Sequence, residues 1–99
     1  MQLELKHKDI VVQILKKNLP EHALVWVFGS RANRNPKKFS DLDLAIDCGR
    51  SLSNHVMIDL KEDFDASDLP YKVDLVDWYG VDVVFQKIID KDRAYKIDF

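Results

Sequence analysis

Residues 41–47 read Asp41-Leu42-Asp43-Leu44-Ala45-Ile46-Asp47, and this run constrains the fold more than any other in the chain. Successive side chains of a strand point to opposite faces. Leu42, Leu44 and Ile46 therefore share one face, and Asp41, Asp43, Ala45 and Asp47 share the other. The apolar face demands a cover of helices or a second sheet. The acidic face is the unusual part, because Asp is depleted in strands. Asp41 and Asp43 stand two residues apart, roughly 6.6–7 Å between Cα atoms on one face. Two carboxylates so placed repel unless a cation or water separates them, and burying both without partners is costly. Taken alone, the pattern also fits an exposed edge strand with a polar outer face. A divalent cation is the alternative that gives the pair a use, since hard carboxylate oxygens are the usual ligands of Mg2+.

The flanking segments suggest what covers the apolar face. His7, Ile10, Val11, Ile14 and Leu15 follow helical spacing, and Pro20 ends that helix. Ala23–Phe28 is a short apolar run rich in Val and aromatics, expected as a buried strand that Gly29-Ser30 stops. Residues 31–40 carry turn formers and suggest a helical turn and a loop. After Cys48-Gly49-Arg50, Ser51 or Ser53 is placed to cap a helix whose stripe is Val56, Met57, Leu60 and Phe64. Tyr71–Asp77 alternates again, with Lys72, Asp74 and Val76 on one face. Val81, Val84, Phe85, Ile88 and Ile89 mark a last amphipathic helix, and residues 93–99 are expected as an edge strand or tail. Helices alternating with strands point to an α/β (α+β) arrangement of a small sheet flanked by helices.

Composition sets the bounds. With 99 residues the expectation is a single domain over 1–99, able to bury roughly 60–70% of its unfolded surface. The apolar run ending at Phe28 is far too short for a membrane span, and residues 1–6 hold no secretory apolar region. A single cysteine, Cys48, allows no internal disulfide, which fits a cytoplasmic setting. The formal net charge is -2. A pI near 5.8 argues against a general nucleic-acid binder.

Gly29-Ser30 stands at a strand end and opens a turn. A glycine admits close backbone approach, and amides at a helix N-terminus attract phosphate. Asp74 alternates onto a polar strand face, and three aspartates converge if its strand lies beside residues 41–47. Gly29-Ser30, ten residues, then Asp41-x-Asp43 resembles the signature of the DNA polymerase beta-type nucleotidyltransferases. The fuller string Gly29-Ser30-Arg31-Ala32…Phe39-Ser40-Asp41-Leu42-Asp43-Leu44-Ala45-Ile46 resembles the minimal nucleotidyltransferase family, over about residues 8–98.

The resemblance implies a small mixed sheet flanked by helices and transfer of a nucleotidyl group from a nucleoside triphosphate such as ATP with two Mg2+ ions. It implies an antitoxin paired with a HEPN-domain ribonuclease toxin, which such proteins adenylylate on a tyrosine and also bind. Gly29, Ser30 and Arg31 would hold the triphosphate. Asp41, Asp43 and Asp74 would hold the metals, with Asp74 also helping to deprotonate the acceptor hydroxyl. Many relatives have glycine where this chain has Asn33, the non-glycine residue that best tolerates left-handed backbone. Two alternatives stay open: an antitoxin that acts by contact with little or no catalysis, and transfer to a small molecule, a kind that usually needs an additional domain. No membrane and no direct nucleic-acid contact are expected. His7, His22 and His55 lack metal-ligand spacing, and Lys37, Lys38 and Trp78-Tyr79 are read as surface and packing residues.

Overall fold

The computed structural model describes residues 5–29, 41–92 and 95–99. Chain order is α1 (Leu5–Asn18), β1 (Leu24–Phe28), β2 (Leu42–Asp47), α2 (Asn54–Asp65), β3 (Val73–Asp77), a short 3-10 turn (Trp78–Gly80), α3 (Val83–Asp92) and β4 (Tyr95–Ile97). Among the described residues four strands form one mixed sheet in the order β3-β2-β1-β4. β1 runs antiparallel to both β2 and β4, and β2 runs parallel to β3. A parallel pair needs a crossover, and α2 supplies it.

The alternation of residues 41–47 sets the two faces. Leu42, Leu44 and Ile46 join Val25, Val27 and Val73 under Val11 and Leu15 of α1 and Leu60 and Phe64 of α2. That layer is the main core. Ala45 and Phe28 lie on the opposite face, with Ile89 of α3 and the half-buried Trp26, Val76 and Trp78. Asp43 shares the α3 face by strand parity.

Side chains fix the connections. The Ser53 side chain caps α2, accepting from the Val56 N–H at 3.2 Å. Asp77 ends β3 and holds two segments together. Its Oδ2 accepts the Leu52 N–H at 2.9 Å, and its Oδ1 accepts the Tyr79 N–H at 3.2 Å. Asp77→Ala removes both, leaving two backbone donors in search of partners. A loss of about 1–2 kcal/mol is expected, read as a lower midpoint in thermal or urea unfolding. Asn18 ties α1 to α2 through Asp63 at 2.9 Å.

The last helix departs from the expected pattern. It starts at Val83, where Asp82 accepts the Phe85 N–H at 2.8 Å. Of its apolar stripe only Ile89 is buried, while Val84, Phe85 and Ile88 face solvent along with Val83. One helix turn of contact suffices to cover the narrow floor of Ala45 and Phe28, so the rest of the stripe stays substantially exposed.

Candidate active site

Three strand positions meet at one end of the sheet. Asp43, the second residue of β2, is the register partner of Asp74 in β3 and of Phe28 in β1. Gly29 follows Phe28 directly. Along the strand order, Gly29, Asp43 and Asp74 thus lie in a row across β1, β2 and β3.

Gly29 has φ +73°, a left-handed conformation that disfavours a side chain. A Cβ at this position would overlap Oδ2 of Asp43 and stand 3.1 Å from its Cγ. The glycine is therefore required on two grounds, its backbone angle and the carboxylate pressed against it. The sequence suggests a glycine that admits phosphate; the group the structure places against Gly29 is the Asp43 carboxylate.

The electrostatics follow from the register. The Asp43 carboxyl is pushed up to about 6, chiefly by burial, then by the charges of Asp74 and Asp41, then by a hydrogen bond shared with Asp74. Asp41 lies one residue before β2 and is exposed. Asp74 is half-buried, and Lys72 stands 3.6 Å from it. Among the described residues, no group of three or more His, Cys, Asp or Glu side chains closes on one point. The pair Asp43–Asp74, with Asp41 beside it, presents the hard oxygens that suit a divalent cation completing its shell with water and phosphate oxygens. Ser30, Arg31, Asn33, Lys37 and Lys38, together with the expected turn at 31–40, lie outside the described residues.

A pH dependence follows. In the metal-free protein the folded state holds a proton on Asp43 up to about pH 6, whereas an unperturbed carboxyl releases it near 3.8. The folded state binds more protons in that window, so stability falls as pH rises from about 4 to about 6. A bound cation competes with that proton. Mn2+ or Mg2+ affinity is expected to rise between pH 5 and 7.5 with about one proton released, measurable by titration calorimetry in two buffers of different ionisation enthalpy.

The remaining assignments are structural. Asp47 accepts the Gly49 N–H at 2.9 Å. Cys48 is buried. The His22 ring contacts the Cys48 carbonyl at 3.1 Å, His55 pairs with Asp59, and His7 packs edge-on to Tyr71.

Residues 9–95 match the family model described as polymerase beta, nucleotidyltransferase. The chain belongs to this nucleotidyltransferase family. It is 45% identical over 92 residues to a probable protein adenylyltransferase MntA of Haemophilus influenzae, covering 91% of this chain and 80% of that one. A crystal structure of a toxin–antitoxin with AMP-PNP superposes with a TM-score of 0.74 at 26% identity, over 91% of this chain and 71% of that one. A tri-AMPylated Shewanella oneidensis HEPN toxin in complex with an MNT antitoxin gives 0.71 at 23% identity, over 96% and 71%, and speaks to the fold. The mixed sheet flanked by helices is thus the polymerase beta-like nucleotidyltransferase fold, as the resemblance implies.

One lining of the site carries no signal in the motif. Beyond Asp74, on the outer edge of β3, Met57, Ile58 and Lys61 of α2 face Lys72 and Leu75 across a groove of about 300 Å³. The one hint in the sequence is Ile58, an isoleucine outside the apolar stripe of an acidic helix.

Proposed function

We propose that this chain is a Mg2+-dependent adenylyltransferase that transfers AMP from ATP to a tyrosine of a HEPN-domain ribonuclease and thereby acts as an antitoxin in the cytoplasm. The observation that carries the reading is the in-register Asp43–Asp74 pair with Gly29 pressed against Asp43. Family membership supports nucleotidyl transfer. The adenylyltransferase name of the Haemophilus influenzae relative and the toxin–antitoxin with AMP-PNP support the substrate and the partner. Residues 1–99 are taken as one minimal nucleotidyltransferase domain.

Each residue has a role in this reading. Gly29, with Ser30 and Arg31 after it, would seat the triphosphate against backbone amides. Asp41, Asp43 and Asp74 would hold two Mg2+ ions, which neutralise charge on the attacking and leaving oxygens. Asp74 would also receive the proton of the acceptor hydroxyl. The acceptor oxygen bonds to the α-phosphorus as the bond to the bridging oxygen breaks, and pyrophosphate departs. The protein's contribution is position and electrostatics. The exposed Val83, Val84 and Ile88 favour a second contribution, neutralisation by contact.

The test is incubation with Mg2+, α-labelled ATP and the product of the adjacent gene, expected to be a HEPN-domain protein. Label on a HEPN tyrosine is expected, with none from Asp41→Asn. Inhibition of the ribonuclease that persists in Asp41→Asn without label assigns the chain to the contact mode. Label on a small acceptor alone overturns the proposal.

A further inference from the structure

The row Gly29, Asp43, Asp74 gives the site two sides. The triphosphate end is on the β1 side, at Gly29. Among the described residues no further strand lies on the other side of Asp74, where β3 forms the edge of the sheet. The groove of about 300 Å³ begins there and includes Asp74 in its wall. Its volume lies at the small end of ligand pockets, which suits a few side chains rather than a second nucleotide.

The lining has the chemistry of a peptide site. Ile58 is 54% exposed on α2, and Leu75 and Met57 are half-buried beside it. Lys61, Asp65 and Lys72 add charge of both signs to the lining. An edge strand offers alternate N–H and C=O groups outward, and an extended segment satisfies them by pairing as an added strand. Side chains of that segment pointing to alternate faces would meet the apolar lining on one side and reach Asp74 on the other.

We propose that the groove between α2 and the outer edge of β3 seats an extended segment of the acceptor protein, added as a fifth strand, with Met57, Ile58 and Leu75 taking its apolar side chains and the modified hydroxyl delivered to Asp74. The inference rests on the adenylyltransferase reading above. It names the surface that selects the acceptor.

Two experiments test it. Ile58→Lys places a charge on an already exposed position, so folding is retained. The KM for the HEPN acceptor is expected to rise about tenfold or more, as for loss of an apolar anchor, while affinity for Mg2+-ATP by titration calorimetry is unchanged. In parallel, p-benzoylphenylalanine in place of Ile58 is expected to cross-link under light to the HEPN segment that bears the acceptor hydroxyl, and p-benzoylphenylalanine in place of the exposed Lys16 is not. An unaltered acceptor KM, or cross-linking from position 58 no better than from position 16, overturns the groove and leaves the transfer reaction standing. Cross-linking from position 58, with no label transferred by the unsubstituted protein, sinks the enzymatic reading and keeps the groove.

Discussion

Asp43→Asn is expected to abolish nucleotidyl transfer while making the metal-free protein more stable. The two effects have one cause. Burial first, then the charges of Asp74 and Asp41, push the Asp43 carboxyl up to about 6. At neutral pH the metal-free site therefore holds an ionised group that the fold disfavours. The amide has similar shape and no charge, so the repulsion goes. After allowance for solvent screening the gain is about 1 kcal/mol, visible as a higher midpoint in EDTA at pH 7. The gain should vanish near pH 4, where the native carboxyl is protonated. With the charge goes the affinity for the cation, and with it several kcal/mol of transition-state stabilisation, so transfer should fall on the order of 10³-fold. An active variant, or one destabilised in EDTA at pH 7, would show that Asp43 neither holds the cation nor carries a disfavoured charge.

Gly29→Ala is expected to damage both stability and transfer, and its contrast with Gly49→Ala isolates the reason. Both glycines have positive φ, +73° and +81°. A Cβ at Gly49 meets nothing within 4 Å, whereas at Gly29 it enters the Asp43 carboxylate. Gly49→Ala should carry only the backbone cost, about 1 kcal/mol, with transfer intact. Gly29→Ala should carry that cost and in addition displace Asp43 from its register partner Asp74. A misplacement of about 1 Å at a reacting centre costs on the order of 10²-fold. Equal effects on transfer from the two substitutions would refute the contact. Unfolding midpoints and initial rates of label transfer on the same preparations decide between them.

The face of Asp43 was legible in the sequence because a period of two is a local property. Alternation over residues 41–47 needs no knowledge of neighbours, and Leu42, Leu44 and Ile46 are buried as it requires. The contact at Gly29 was not legible. The glycine suggests room for phosphate, and that Asp43 lies against it depends on the antiparallel register pairing Phe28 with Asp43. The pairing of Asp43 with Asp74 likewise depends on which strands become neighbours, and only the strand–helix–strand pattern hinted at it. In α3, spacing revealed an amphipathic helix and not how much of its stripe the fold covers. Periodicity defines a face without supplying its partner, so the exposure of Val84 and Ile88 emerged only from the packing. The groove beyond Asp74 was illegible for the same reason. It is made by a helix face and a sheet edge that belong to no shared motif.

The β2–β3 pair also has a consequence during synthesis. The β1–β2 hairpin is local and can form as soon as residue 47 has cleared the ribosome, giving Gly29 and Asp43 their contact. Asp74 joins only after α2 has been made and folded back, and β3 is held in place by Asp77, which reaches back to Leu52. A nascent chain halted inside α2 thus contains most of the recognisable motif and none of the carboxylate partner that completes it. The aspartate pair is complete only once β3 has joined β2. If this chain restrains a ribonuclease by catalysis, that protection requires the parallel β2–β3 pair to close, and stalling or proteolytic trimming between residues 54 and 74 removes it.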